Sequence, residues 1–424
     1  MERIVIIGGG FAGLRVLYRL RKVLGSTVDI TLIDRSEFSI EKPSLPEVAF
    51  AGKETSKVRI PLKRTVERKW SKFIMDNAAK IDPVNKVVIT DGGSKINYDI
   101  LVIATGAVKD YDSITGFRDH GFSICDDFQA ERLAKRLESF EGGRIVIGSA
   151  RTEWDQNSTS IKLDAPCEGP IGEVMFMIDT YLRERGIREK SSITVFTPGS
   201  IFFDDVGESI HAELVPFMKA HKISVLTNKI LTGIDEHTVH FSDGINLESD
   251  LAIIIPPYRG PNVITVSSLG DSHGFIKTDD EMRHGVYRDI FVVGDVNADS
   301  MPKLGHIAIM QADIAAAAMI KEMTNYGEVP KPKPEIFCIM NRGSDGATVI
   351  LSDTLFGGSR DIAYSGRLAS TFKWGFDSYY FYTHGHMPPE IFQEPVEWLV
   401  KLLKTNELKV MRPDKYILIR VKPF

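Results

Sequence analysis

The feature that most constrains this chain is a glycine-rich turn near its N-terminus. In the segment RIVIIGGGFAGLRVLYRLRKVLG, an apolar run typical of a buried strand precedes the turn and an amphipathic helix pattern follows it. Gly8, Gly10 and Gly13 have the GxGxxG spacing, which permits a tight turn and a close approach of backbone N–H groups to a pyrophosphate. The next strand pattern ends in Asp34, where a carboxylate can accept hydrogen bonds from a ribose. The sequence therefore predicts an α/β dinucleotide-binding domain.

Two later motifs indicate which dinucleotide binds. The segments YDILVIATGA, residues 98–107, and IFVVGD, residues 290–295, resemble two further motifs of the FAD-dependent pyridine-nucleotide-disulfide reductase superfamily. The resemblance implies that FAD is the cofactor and that Asp295 hydrogen-bonds its ribityl chain. It also implies that a helix over roughly 305–323 directs its positive N-terminal end at the flavin pyrimidine.

A second nucleotide-binding pattern lies between these motifs, with strands over 144–147 and 192–196 and a helix between them. Its turn, GSARTE, has glycine only at the first position, and Glu153 and Asp155 would repel a pyrophosphate. The second strand continues into Thr197-Pro198 instead of an acidic residue. We therefore predict a second Rossmann-like domain, inserted in the first, that has lost its NADH site; weak binding of NADH by the altered turn stays open.

The charge of the chain argues against nucleic-acid binding. Its net charge is −5 and its pI is near 6.1, whereas nucleic acid requires a broad basic face. The basic end is residues 331–424, with 13 Lys and Arg against 10 Asp and Glu. The first strand pattern starts directly after Met1, which leaves no room for a signal peptide, and no apolar run is long enough to span a bilayer. We expect a chain that stays in the cytoplasm.

The chain has three cysteines, Cys125, Cys167 and Cys338. An odd number in a reducing compartment argues against a structural disulfide framework and leaves buried free thiols or redox chemistry. A single cysteine is more often a small buried apolar residue than a reactive one. Cys167 lies where a loop enters a predicted helix, and a helix N-terminus lowers the pKa of a thiol.

At these cysteines the whole chain resembles the sulfide:quinone oxidoreductase family. The resemblance rests on the FAD motifs, on three cysteines at these places, and on the segments KPSLPEVAFAG (42–52), Cys-x-Gly-Pro-x-x-Glu (167–173), MPKLG (301–305) and Phe-Cys (337–338). It implies oxidation of sulfide to polysulfide or sulfur, with two electrons passing through a cysteine pair and FAD to membrane quinone. The cofactor-binding residues implied by the two resemblances are Gly8, Gly10, Gly13, Asp34, Pro43, Ala104, Thr105, Gly106, Gly294, Asp295, Lys303 and Gly305.

The family resemblance also assigns roles around the cysteines. It implies that Cys167 and Cys338 are the redox pair, bridged by one or more sulfur atoms in the resting enzyme. Cys125 corresponds to a third cysteine that in some members bonds to the flavin's 8-methyl carbon, directly or through sulfur. Glu173 corresponds to the acid beside the pair. No metal site is predicted.

The same resemblance predicts the quinone site and its surroundings. It implies that Phe337 and Phe376 sandwich the quinone ring and that Lys373 hydrogen-bonds a carbonyl, although aromatic residues in such a stripe are more often plain core. Residues 395–404 have apolar positions at helical spacing, a tryptophan and terminal lysines, which suits a helix lying in the lipid headgroup plane. Packing against a neighbouring helix or a second subunit of a homo-oligomer explains that pattern equally well.

The chain departs from the family pattern at two places. Leu304 replaces the usual threonine, and no histidine lies between Pro198 and Ser209, where many members carry one. Lys303 is either a partner of the flavin pyrimidine edge or an ordinary surface lysine. His306 lies near the flavin or serves as a capping or core residue.

We therefore predict an α/β protein with two Rossmann-like dinucleotide-binding domains, the second inserted in the first, and a C-terminal membrane-associating region. The expected boundaries are 1–110 with 286–330 for the FAD-binding domain, 111–285 for the degenerate NAD-binding-like domain, and 331–424 for the quinone-site and membrane-contact region. The expected location is the cytoplasmic face of the membrane, with peripheral contact to the lipid surface. Two alternatives stay open: a type II NADH:quinone oxidoreductase, and a noncatalytic thiol or flavin redox sensor.

Overall fold

The computed structural model describes residues 1–155, 157, 161 and 163–387. The helices are α1 (Phe11–Leu24), α2 (Leu45–Phe50), α3 (Leu62–Glu67), α4 (Phe117–His120), α5 (Asp127–Glu138), α6 (Gly169–Glu184), α7 (Glu208–Ala220), α8 (Asn262–Val266), α9 (Gly305–Thr324) and α10 (Arg367–Tyr382). The strands are β1 (Glu2–Ile7), β2 (Val28–Asp34), β3 (Phe38–Ile40), β4 (Arg59–Pro61), β5 (Lys72–Met75), β6 (Ala78–Asp82), β7 (Val87–Thr90), β8 (Lys95–Asn97), β9 (Ile100–Ile103), β10 (Val108–Lys109), β11 (Gly121–Phe122), β12 (Arg144–Ser149), β13 (Ser192–Phe196), β14 (Ile223–Leu226), β15 (Leu231–Ile234), β16 (Thr238–Phe241), β17 (Asn246–Glu248), β18 (Leu251–Ile255), β19 (Tyr258–Arg259), β20 (Ile290–Val292), β21 (Ile336–Asn341), β22 (Ala347–Ser352) and β23 (Asp361–Gly366).

The first large sheet is parallel and has the strand order β20-β9-β1-β2-β5. Its strands are continuous apolar runs because elements cover both faces: the last four residues of β1 are all buried. Helices α1 and α9 pack against each other on one face. Strand β20 joins this sheet only after residues 104–289, which lie between it and β9 in sequence. This explains why the two FAD motifs at β9 and β20 are so far apart in sequence.

The second large sheet is also parallel, with the order β11-β18-β12-β13-β14. All of its strands belong to the segment between β9 and β20. Helices α5, α6 and α7 contribute to the core beside it. Both sheets belong to one compact unit, residues Met1–His386. The prediction of an α/β fold is confirmed.

A three-stranded antiparallel sheet, β21-β22-β23, follows α9. Helix α6 packs on β21, and so does α10. Phe337 and Cys338 are neighbours in the middle of β21, so this packing brings the C-terminal cysteine to the start of α6.

No helix within the described ranges is long and apolar enough to cross a membrane. The segment 395–404, predicted to lie in the headgroup plane, falls outside the described residues.

Candidate active site

The turn after β1 is shaped by backbone contacts that exclude side chains. Gly8 has φ +107°, and a Cβ there would lie 2.2 Å from the Ala104 carbonyl oxygen. A Cβ on Gly13 would lie 1.9 Å from the Gly8 carbonyl oxygen. Gly10, by contrast, faces open space, with no atom within 4 Å of a Cβ position, and no side chain caps α1. The first N–H groups of α1 are thus free to bind the pyrophosphate of a dinucleotide.

Groups suited to the rest of a dinucleotide surround this turn. Asp34 accepts hydrogen bonds from the N–H of Gly9 (2.6 Å) and of Ser36 (2.7 Å), and burial raises its pKa. The hydroxyl of Thr105 is buried without a hydrogen-bond partner among the described residues, and the neighbouring Gly106 faces open space at φ +68°. An unsatisfied hydroxyl beside an open glycine fits a polar cofactor at this edge of the sheet.

The third predicted motif lies beside the first. Gly294, at φ +79°, would place a Cβ 3.3 Å from the Cβ of Ala12 in α1. Asp295 is half-buried, and its charge acts on Lys109 and Lys303. Gly305 begins α9, as predicted, without a side-chain cap.

Lys303 is not a surface residue, so the surface-lysine alternative is wrong. It is buried, its Nζ donates to the Asn297 carbonyl oxygen (2.9 Å), and it lies 4.5 Å from the ring centre of Phe275. Burial lowers its pKa to about 7. His306 is half-buried, with its ring edge-on to Phe337.

The two cysteines of the predicted redox pair meet at the start of α6. A Cβ on Gly169 would lie 3.9 Å from the sulfur of Cys167 and 4.0 Å from the sulfur of Cys338. Both thiols are free; Cys167 is buried and Cys338 is half-buried. Because Gly169 has no side chain, there is a space at the start of α6 that both sulfur atoms line.

The expectation that the helix start lowers the thiol pKa of Cys167 is wrong. Burial raises that pKa well above its usual value, Asp205 and Cys338 raise it further, and the backbone hydrogen bond from Gly169 offsets only part of this. Burial, with the nearby Glu173, also raises the pKa of Cys338 to about 12. Free thiolates are thus costly at this site, and uncharged forms of the pair are favoured.

Cys125 lies in a separate polar group. It is buried, which raises its pKa, and its thiol interacts with Lys109 and with the hydroxyl of Tyr258. Tyr258 in turn feels the charges of Cys167 and Asp295. Cys125 is therefore on the same side of the molecule as the pair but is not part of it.

Glu173 and Lys373 lie next to Cys338. The Oε1 atom of Glu173 accepts from the N–H of Asn341 (2.7 Å) and is 3.7 Å from the Nζ of Lys373. Burial raises the pKa of Glu173 to about 7. Lys373, on α10, is buried; burial alone lowers its pKa, but nearby carboxylates, Glu173 foremost, outweigh this and raise it.

The predicted quinone residues lie on adjoining elements, β21 and α10. Phe337 and Phe376 are both half-buried and, in the described part of the chain, make no ring contact with each other. The ring of Phe376 stacks at 6.3 Å on Tyr380. The Nζ of Lys373 donates to the carbonyl oxygen of Pro43, at 2.8 Å. Pro43, predicted to bind the cofactor, is thereby in contact with a residue predicted to bind the quinone.

Sequence reasoning missed a buried acid beside the cysteine pair. Asp205 is buried, its Oδ1 has no hydrogen-bond partner among the described residues, and its charge acts on both Cys167 and Cys338. Burial raises its pKa to about 7. Glu168 ties this loop to the pair, since its Oε2 accepts from the N–H of Phe203 at 2.6 Å. Two aspartates in the apolar run IFFDDV were the available signal.

The turn of the second sheet differs from the turn after β1. Among the described residues that follow β12, the first helix is α6, which starts at Gly169. A Cβ on Gly148 would lie 2.4 Å from the ring of Phe196, and Ser149 and Ala150 are buried. The described residues of this turn do not include a helix N-terminus, which is the usual source of free N–H groups for a phosphate.

The chain belongs to the pyridine nucleotide-disulphide oxidoreductase family, whose sequence profile matches residues 2–312. The prediction of an FAD cofactor is confirmed by this family assignment.

Among individual proteins, the chain is 27% identical over 429 residues to the sulfide-quinone reductase of Aquifex aeolicus, covering 95% of this chain and 96% of that one. The X-ray structure of the sulfide:quinone oxidoreductase from that bacterium superposes with a TM-score of 0.83 at 24% identity, over 95% of this chain and 96% of that one. The chain is also 25% identical to a type II NADH:quinone oxidoreductase of Staphylococcus aureus, over 76% of this chain and 83% of the relative. The predicted resemblance to sulfide:quinone oxidoreductases is confirmed.

Proposed function

We propose that the protein is a sulfide:quinone oxidoreductase that oxidises sulfide to polysulfide or sulfur and passes two electrons to a quinone. The observation that carries this proposal is the meeting of Cys167 and Cys338, 171 residues apart, at the start of α6, with Glu173 one turn further on. The sulfide-quinone reductases among the relatives support it.

The turns around Gly8, Thr105 and Gly294 fit FAD, because Gly10 faces open space at the uncapped start of α1 and Thr105 has an unsatisfied buried hydroxyl. Gly10, Gly13 and Asp34 would hold its adenosine diphosphate half, and Asp295, Lys303 and the start of α9 its other half. When bound, FAD supplies the two-electron acceptor for the cysteine pair and the donor for quinone. Cys125 would be the residue that tethers it.

The cysteine pair works through a sulfur bridge. Hydrosulfide attacks a bridging sulfur, an S–S bond forms to the incoming atom, and the bond to Cys338 breaks with its electron pair on the Cys338 thiolate. Burial and Glu173 make that thiolate costly, which favours onward transfer of its electron pair. Glu173, whose pKa is about 7, is suited to take the proton that hydrosulfide loses.

The quinone binds between Phe337 and Phe376, with Lys373 donating a hydrogen bond to one carbonyl. Residues 331–424 would form the region that contacts the cytoplasmic membrane surface peripherally. The FAD-binding domain spans 1–110 and 286–330, and 111–285 form an inserted domain that has lost its NADH site. The buried turn after β12 supports this loss.

Anaerobic titration of the FAD-loaded protein tests this function. Low concentrations of sulfide should bleach the flavin's visible absorbance, whereas equimolar NADH should not. Bleaching by NADH without a response to sulfide transfers the assignment to a type II NADH:quinone oxidoreductase, and no response to either reagent favours a noncatalytic sensor.

A further inference from the structure

A buried charge cluster surrounds the proposed quinone ligand Lys373. We define the Lys373 cluster as Lys373 with the carboxyl groups of Glu41, Glu173 and Asp377. The exposed fractions of these residues are 5% for Lys373, 1% for Glu41, 8% for Glu173 and 5% for Asp377. Three different parts of the chain supply them: the segment after β3, helix α6 and helix α10. The reaction steps above do not use Glu41 or Asp377.

The contacts within the cluster leave two oxygen atoms unsatisfied. The Nζ of Lys373 is 3.2 Å from Oδ2 of Asp377 and 3.7 Å from Oε1 of Glu173. The other oxygen of Asp377, Oδ1, and Oε1 of Glu41 are buried with no hydrogen-bond partner among the described residues. The charges of Glu41 and Asp377 act on each other. Orphaned carboxyl oxygens in so buried a position indicate groups that exchange protons or meet a ligand.

Charge balance requires protons on these carboxyls. One ammonium group and three ionised carboxylates would leave a buried net charge of −2, which desolvation strongly disfavours. Two protons held among the three carboxyls make the cluster neutral. Burial raises the pKa of Glu41 to about 8 and that of Glu173 to about 7, and it raises the pKa of Asp377 as well.

A polar route connects the cluster to solvent. The Nζ of Lys53 donates to the hydroxyl of Ser44 (2.6 Å) and to Oε2 of Glu47 (2.7 Å), and the side chains of Lys53 and Glu47 are each 25% exposed. The hydroxyl of Ser44 also stabilises the Glu41 carboxylate. The charged and titratable groups that face the cluster are therefore Glu41, Glu47, Lys53, Glu173, Cys338, Lys373, Asp377 and Tyr380.

The stoichiometry of the proposed reaction needs two sources of protons. Hydrosulfide gives up one proton and two electrons as its sulfur joins the bridge, whereas a quinone takes up two electrons and two protons to become a quinol. One proton can therefore come from hydrosulfide through Glu173, which borders both Cys338 and Lys373. The second must come from solvent.

We propose that Glu41 and Asp377 are a proton store that supplies this solvent-derived proton to the quinone through Lys373. The Lys373 ammonium gives a proton to the reduced quinone oxygen, the Asp377 carboxyl returns a proton to Lys373, Glu41 reprotonates Asp377, and Ser44 with Lys53 reconnects Glu41 to solvent. This inference rests on the proposed function.

Rapid mixing of dithionite-reduced, FAD-loaded protein with decylubiquinone tests the store without sulfide. Asp377→Asn and Glu41→Gln should each slow flavin reoxidation at least about tenfold at pH 7, the scale of a lost general acid. Both should keep the rate of flavin reduction by sulfide within about twofold. Asp377→Glu, which keeps the carboxyl group, should retain fast reoxidation. Asp313→Asn is the control. Asp313 forms an ion pair with Arg15, and no residue of the Lys373 cluster is among its ion-pair partners in the described part of the chain.

An infrared titration gives a readout independent of turnover. Protonated carboxyl groups show a C=O stretch that ionised ones lack, so the wild-type protein should lose this band between about pH 6 and pH 9. The loss should be smaller in Asp377→Asn and Glu41→Gln and unchanged in Asp313→Asn.

Reoxidation within twofold of wild type in both amide variants, or an unchanged infrared titration, overturns the proton store. Equal slowing in Asp313→Asn does the same, because it reveals a general effect of charge removal. Should Asp377→Asn fail to retain FAD, Glu41→Gln alone decides the kinetic test. Failure of sulfide to reduce the wild-type flavin refutes the proposed function instead. The reoxidation of dithionite-reduced protein by quinone still decides the proton store in that case, because it does not use sulfide.

Discussion

Replacing Asp205 with asparagine should stabilise the protein, and by more at pH 8 than at pH 5. Asp205 is buried, and its carboxyl pKa rises from 3.8 to about 7 on folding, first because of burial and then because of Asp204. The unfolded chain therefore ionises this group at a lower pH than the folded one. Between about pH 4 and pH 7 the folded state loses stability as pH rises, and above that range the loss is constant. At 1.36 kcal/mol per pH unit, the shift corresponds to about 4 kcal/mol at pH 8 and to about 2 kcal/mol at pH 5.

Asparagine has nearly the same shape and no charge, so Asp205→Asn should remove most of this cost. The measurement is denaturant unfolding of the FAD-loaded protein at pH 5 and pH 8, followed by flavin fluorescence. The gain in unfolding free energy should be larger at pH 8 by about 2 kcal/mol. Asp119→Asn, at an exposed position, is the control and should show no such difference. An Asp205→Asn protein whose gain is equal at both pH values, or negative at pH 8, would falsify the argument that ionisation of this buried carboxyl destabilises the folded protein.

Three further predictions concern the sulfur atoms, the tail and the cofactor turn. Cys167→Ser and Cys338→Ser should abolish flavin reduction by sulfide in stopped-flow measurements at matched FAD content, because a serine cannot form or leave the sulfur bridge; Cys125→Ser should retain it, and near wild-type reduction in Cys338→Ser sinks the mechanism. Deleting residues from Glu394 onward should release the protein from liposomes while sulfide still reduces the flavin; a truncated protein that stays bound places the anchor elsewhere. Gly8→Ala should lose most bound FAD on gel filtration, since its Cβ would lie 2.2 Å from the Ala104 carbonyl oxygen at φ +107°, at a strain of at least about 1 kcal/mol; Gly25→Ala, also at positive φ but facing open space, should keep its FAD.

The frame of the molecule could be predicted from the sequence because its signals are local. The strand predicted over 192–196 matches β13, and the helix predicted over 305–323 matches α9 to within one residue. Glycine spacing, apolar runs and their order along the chain are enough to define such elements. The meeting of Cys167 with Cys338 was accessible only through a family resemblance, because nothing local to either cysteine indicates the other.

The burial of three acids of the site could not be predicted from the sequence, for a physical reason. Glu41, Asp205 and Asp377 look like ordinary polar residues in sequence, and their burial depends on elements distant along the chain that close over them. The pKa of Cys167 was predicted with the wrong sign for the same reason: the helix start is visible in sequence, whereas the desolvation that outweighs it is not. Lys373 was found, but its partner Asp377, one turn along α10, was overlooked although the spacing of four residues is a local signal.

The adjacency of Phe337 and Cys338 in β21 has a consequence for how two incompatible substrates share one protein. Successive side chains of a strand point to opposite faces, so the sulfur chemistry and the quinone ring are assigned to opposite sides of a single polypeptide ribbon. Under the proposed function, sulfide would react on the Cys338 side of the strand and quinone would bind on the Phe337 side, with Glu173 and Lys373 as the polar connection between the two. Insertion of one residue before Phe337 would exchange the two faces and should abolish both half-reactions together.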